Sequence, residues 1–153
     1  MKFKLVSLQN TEAIATVIAD YIRNSNNFCT FLLYGNLGTG KTTLVRYILK
    51  DLGWNKSVKS PTFSIVEEYT LMDKDIFHAD LYRLENLNDF EMLGLEINYS
   101  KPGVIFVEWP DIISKELQGK VISIRITMDK NIRFLEFETN CQDFLASIDR
   151  VNI

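Results

Sequence analysis

The chain has 153 residues, 46% hydrophobic and 24% charged, the make-up of a water-soluble globular domain and not of a disordered chain. Its 17 Lys+Arg against 20 Asp+Glu leave a net charge of −3, so stand-alone binding of RNA or DNA through a basic face is not expected. No apolar run is long enough to span a membrane or serve as a signal peptide, and Cys29 and Cys141 have no CxxC or Cys/His ligand spacing, which predicts a cytoplasmic protein with no membrane partner.

No repeat or Gly/Ser/Pro-rich linker divides the sequence, so one domain over residues 1–153 is expected. In chain order, Ile14, Val17, Ile18, Tyr21 and Ile22 recur at helical spacing, with Asn10 or Thr11 as the expected N-cap. Phe28–Tyr34 (FCTFLLY) is a nearly continuous apolar run, as in a strand covered on both faces. Within it, Cys29 reads as a buried thiol. A Gly-rich turn follows, and Leu44, Val45, Ile48, Leu49 and Leu52 then resume helical spacing up to a stop at Gly53. Ile65–Leu71 and Ile76–Leu81 read as a hairpin joined by a turn at Met72–Asp75. Asn88 is the expected cap of a short helix reaching Leu93 and ended by Gly94. After the turn at Pro102–Gly103, VIFV (Val104–Val107) is a second buried strand. Ile122, Ile124, Ile126 and Met128 alternate as a strand, a turn at Asp129–Asn131 leads into Ile132–Thr139, and a helix near Gln142–Asp149 closes the chain.

The turn after the first apolar strand carries the chemistry. Gly35–Thr42 reads GNLGTGKT, a GxxxxGK[ST] phosphate-binding loop, set between a strand and a helix as that motif requires. Gly35, Gly38 and Gly40 permit backbone angles barred to other residues and let main-chain amides approach an anion. With Asn36, Leu37, Thr39 and Thr43 they form a cradle at the positive end of the following helix. Lys41 adds a point charge toward the phosphates, and the Thr42 hydroxyl is placed to ligate Mg²⁺. Two apolar strands run into an acid, VIFV into Glu108 and IFHA into Asp80. Since ligand groups collect at the carboxyl ends of parallel strands, Glu108 is assigned to Mg²⁺ and Asp80 to supporting the metal or orienting the attacking water. Lys41, Asp80 and Glu108 are the catalytic set. The architecture expected is α/β, a P-loop NTPase-like three-layer fold with a mixed, mostly parallel central sheet.

Four motifs in order, GNLGTGKTT (35–43), VKSPTFSIVEEY (58–69), HADLYRL (78–84) and VIFVEWPD (104–111), resemble the TsaE (YjeE) family, the ATPase subunit of the bacterial machinery that makes threonylcarbamoyladenosine in tRNA. The resemblance implies ATP and Mg²⁺ as cofactors, with Thr42 and Glu108 as metal ligands and Asp80 as a functional acid. It also implies a switch-like segment at Ser60, Pro61 and Thr62, with Thr62 on the γ-phosphate side, and a characteristic Trp109 beside the metal acid. Thr11 and Arg133 are expected near the adenine. The implied partners are a TsaB–TsaD pair, with tRNA met only through that complex. The absence of the [NT]KxD string that reads guanine agrees with ATP.

Plainer roles stand beside these: a Ser-Pro turn at Thr62, core packing for Trp109, and for His78 a strand residue whose ring finds a hydrogen bond instead of acting as a catalytic base. Tyr82 and Arg83 face either the nucleotide or a partner. Two other functions compete with a partner-dependent ATPase. A P-loop small-molecule kinase is disfavoured because the six arginines (23, 46, 83, 125, 133 and 150) form no lid cluster. A nucleotide-binding module without chemistry is separated from an ATPase by replacing Glu108.

Overall fold

Burial on both faces explains why FCTFLLY shows no alternation: as strand β2 (Phe28–Tyr34) it lies between two parallel neighbours. The computed structural model describes residues 1–58, 61 and 64–151. The other strands are β1 (Lys2–Leu5), β3 (Val66–Leu71), β4 (Lys74–Asp80), β5 (Gly103–Glu108), β6 (Lys120–Asp129) and β7 (Ile132–Glu138). The helices are α1 (Leu8–Asn24), α2 (Lys41–Asp51), α3 (Leu87–Glu91) and α4 (Gln142–Ile148), with a 3₁₀ turn at Pro110–Ile112. The sheet order is β1-β7-β6-β2-β5-β4-β3. The pairs β2–β5, β2–β6 and β4–β5 are parallel, and β1–β7, β6–β7 and β3–β4 antiparallel. Thus β1, β6, β2, β5 and β4 run one way and β7 and β3 the other, the mixed and mostly parallel sheet expected.

Alternate residues of the central strands feed two cores. Phe31, Leu33, Val104, Phe106, Ile122 and Ile124 pack with the apolar faces of α1, α2 and α4. Phe28, Leu32, Phe77, Ile105 and Val107 pack under Ile113, Leu117 and the chain around α3. Phe31 and Phe106, opposite each other in register, stack with ring centres 5.3 Å apart.

Several boundaries differ from the sequence expectation. The N-cap of α1 is Ser7, not Asn10 or Thr11. The Asn10 amide donates to Ser7 Oγ at 3.4 Å, and Asn10 Oδ1 accepts from the Ser7 amide at 3.1 Å, so Asn10 is the inner half of a capping box. The first turn is invisible to periodicity because Leu8 is exposed. The hairpin turn is only Met72–Asp73, both left-handed as a two-residue type I′ turn demands, which moves Lys74 and Asp75 into β4 and leaves Ile65 outside β3. Asn86, not Asn88, caps α3, accepting from the Asp89 amide at 3.0 Å, and the helix stops at Glu91. Strand β1 has no counterpart in the expectation. Four residues carry too little pattern to be seen alone, and their order comes from pairing with β7.

Candidate functional site

The loop between β2 and α2 owes its shape to two glycines. Gly35 has φ +146°, and a Cβ there would lie 2.3 Å from the Ile126 carbonyl oxygen. Gly40, at φ +110°, is the residue from which α2 starts, and no side chain caps that end. The helix therefore begins with amides that no side chain caps and the positive end of its dipole turned toward the loop, an arrangement that attracts anions. Leu37, 78% exposed, stands at the tip of the loop.

Lys41 is the first residue of α2 yet only 4% exposed. Its Nζ donates to the carbonyls of Gly35 at 2.7 Å and Asn36 at 3.1 Å, and sits 4.3 Å from the centre of the Trp109 ring. Burial pushes its pKa down, opposed by the charges of Glu108 and Asp80. Thr39 turns inward, its hydroxyl donating to the Asn36 carbonyl at 2.9 Å.

Sheet register brings the two predicted acids to this loop. Leu33 faces Glu108 across β2–β5, and Asp80 faces Glu108 across β4–β5. The Thr42 hydroxyl donates to Glu108 Oε1 at 2.7 Å. The same oxygen lies 2.8 Å from His78 Nε2, in a contact whose members are 0% and 4% exposed. Asp80 Oδ1 accepts from the Tyr82 amide at 3.1 Å. Burial raises the pKa of Asp80, with the Tyr82 amide opposing and the Glu108 charge adding. Trp109 holds a left-handed backbone, φ +57°, as the chain turns out of β5, and its ring lies 5.0 Å from that of Tyr82.

Gly38, Gly40, Lys41, Thr42 and Thr43 meet Asp80, Glu108, Trp109, Tyr82, Arg83 and Leu37 around one pocket of about 370 Å³. Behind Gly40 and Thr43 a second pocket of about 100 Å³ is lined by Thr11, Arg133, Thr39 and the β1–α1 turn. Arg133 Nε donates to the Thr39 carbonyl at 2.9 Å. Thr11 and Arg133, 122 positions apart in sequence, thus share one cavity against the loop. Ser60 and Thr62 lie outside the described residues. Pro61 is buried, and its carbonyl accepts from the amide of Ile65, whose own carbonyl accepts from the Asp80 amide, both at 2.8 Å.

The donor set suits a hard cation. The Thr42 hydroxyl has its proton on Glu108, which leaves its oxygen lone pairs available, and oxygen ligands of this kind are what Mg²⁺ takes. Among the described residues no three His, Cys, Asp or Glu side chains form a metal-holding group. Mg²⁺ ordinarily needs only one or two protein oxygens, with water and phosphate completing its shell. Sequence reasoning assigned His78 a hydrogen bond but not its partner. The sequence showed only that His78 and Asp80, two apart on one strand, share a face; that the partner is Glu108 depends on the pairing of β4 with β5.

The family model described as "Threonylcarbamoyl adenosine biosynthesis protein TsaE" matches residues 5–135. A Bacillus subtilis protein named tRNA threonylcarbamoyladenosine biosynthesis protein TsaE is 34% identical over 126 residues, 82% of this chain and 77% of that one. The Haemophilus influenzae protein of the same name is 42% identical over 79 residues, 52% of this chain and half of its own length. The crystal structure of Bacillus subtilis YdiB superposes with a TM-score of 0.73 at 25% identity, covering 99% of this chain and 93% of that one. A strand–loop–helix unit carrying GNLGTGKT, two acids brought to it by register, and matches over most of the chain lead to one conclusion: this chain belongs to the TsaE family, which functions in tRNA threonylcarbamoyladenosine biosynthesis.

Proposed function

We propose that residues 1–153 act as one P-loop ATPase domain that binds ATP with Mg²⁺, hydrolyses it slowly alone, and works in the cytoplasm on a TsaB–TsaD pair during tRNA modification. The observation that carries this reading is the 2.7 Å contact between the Thr42 hydroxyl at the start of α2 and Glu108 at the end of β5, beside a helix end with no side-chain cap. In this reading Thr42 and Glu108 hold the metal, which supplies charge neutralisation for the phosphates when bound. The amides of Gly35–Thr43 and Lys41 hold the phosphates. Asp80 orients the attacking water or supports the metal. Thr11 and Arg133 meet the adenine from the smaller pocket, and Thr62 changes position with the γ-phosphate, altering the surface offered to the partner. The link from Pro61 through Ile65 to the Asp80 amide supports a coupling between that segment and the pocket.

Steady-state ATP hydrolysis, with and without Mg²⁺ and with and without TsaB–TsaD, tests the reading. Turnover should require Mg²⁺ and rise when the pair is added, and Glu108→Ala should abolish it while leaving the fold intact. Phosphorylation of a free metabolite would favour a kinase instead. Wild-type cellular tRNA modification in Glu108→Ala would favour a binding module without chemistry.

A further inference from the structure

His78 is fully buried, and its ring has one partner where it has two nitrogens. Nε2 lies 2.8 Å from Glu108 Oε1, whereas Nδ1 is buried with no hydrogen-bond partner among the described residues. A residue present only to fill this space between β4 and α2 would be better served by an apolar side chain, because a half-satisfied polar group in a core is a standing cost. Its choice of partner is informative as well. The residue opposite His78 on β3 is Glu67, but that carboxylate accepts from the Ser64 hydroxyl at 2.6 Å. The imidazole instead reaches Glu108, on β5, two rungs beyond Phe106, its own partner in register. A carboxylate only accepts, so the shared proton sits on Nε2.

We propose that His78 is a positioning residue for Glu108, its Nε2–H fixing the carboxylate in the place where it meets Thr42. Oε1 then carries two donors from two different elements, α2 and β4, and the rotamer of Glu108 is set from both sides. Partners of this kind behind a metal ligand govern metal affinity more than fold, with typical effects of about 10- to 100-fold when they are removed. This rests on the assignment of Glu108 to Mg²⁺ made above.

Three variants separate positioning from packing. In Gln the side-chain amide nitrogen falls near the place of Nε2, in Asn it falls near Nδ1, and Phe fills the space with no donor. Calorimetry would measure ATP affinity in EDTA and the Mg²⁺ concentration giving half of its effect on that affinity. Affinity in EDTA should be the same in all. The Mg²⁺ midpoint should rise by about 10-fold or more in His78→Asn and His78→Phe and stay near wild type in His78→Gln. Should the Phe variant not fold, the Gln–Asn pair still decides. Equal midpoints in Gln and Asn, or a wild-type midpoint in Phe, would overturn the proposal. If wild-type protein itself shows no effect of Mg²⁺ on ATP affinity, the assignment of Glu108 fails, and that result is distinct from failure of His78 alone.

Discussion

Two buried lysines at two ends of two helices have almost the same bonds and opposite surroundings. Lys74, 9% exposed, reaches from β4 to the last turn of α1, where its Nζ donates to the carbonyls of Ile22 at 3.0 Å and Ser25 at 2.6 Å. That is the negative end of a helix dipole, where an ammonium is welcome. Lys41 also donates to two carbonyls, but it is the first residue of α2, at the positive end, where a cation is disfavoured until an anion arrives. Burial and the number of bonds therefore do not tell these two lysines apart. The local field does. Backbone strain follows the same division. Left-handed non-glycine residues other than those in the hairpin turns are Ile65 and Trp109 among the described residues; Trp109 lines the phosphate-loop pocket, and the Ile65 carbonyl accepts from the amide of Asp80, which lines it too.

The largest effect is expected from Lys41→Ala, which should lower kcat/KM for ATP by at least about 100-fold, roughly 2.7 kcal/mol of transition-state stabilisation, without lowering Tm. Enzyme kinetics and a thermal melt check both halves. Lys74→Met should do the reverse. Two carbonyls lose their donor and the domain loses about 1–3 kcal/mol in a urea titration, while ATP affinity by calorimetry is unchanged. If Lys74→Met weakens ATP binding, or Lys41→Ala destabilises to the same degree, the distinction drawn from the dipoles is wrong.

A smaller effect is expected at Asp80. Burial raises its pKa in the folded protein above that of the unfolded chain, so the folded state holds the proton more tightly. The stability this contributes is present at low pH and is lost as pH rises through the carboxyl range. Asp80→Asn cannot ionise. It should therefore match wild type in acid and exceed it by up to about 1 kcal/mol at neutral pH, with ATP turnover reduced. Urea titrations across that range would show it, and a difference that grows toward low pH would refute it.

How much was legible follows from where the information lies along the chain. The phosphate loop was visible because its parts are contiguous: an apolar strand, three glycines, a lysine and an apolar-faced helix lie within residues 28–52. Glu108 and Asp80 were visible because each ends an apolar run. The start of α1 was misplaced because Leu8 points to solvent, leaving only the Ser7–Asn10 capping box to mark it. Strand β1 was missed because KFKL is ordered by a partner far along the chain.

Local pattern by itself was enough for the strand–loop–helix unit, the two strand-end acids and the mixed α/β class, because burial and backbone geometry repeat over a few neighbouring residues and leave their period in the chain. Tertiary structure alone decided that Oε1 of Glu108 serves both Thr42 and His78, that Thr11 and Arg133 share a cavity, and which buried lysine faces which end of a helix. Those facts depend on register between strands and on the direction in which a helix arrives. Neither leaves a period in the sequence, since both are set by packing between segments far apart in the chain.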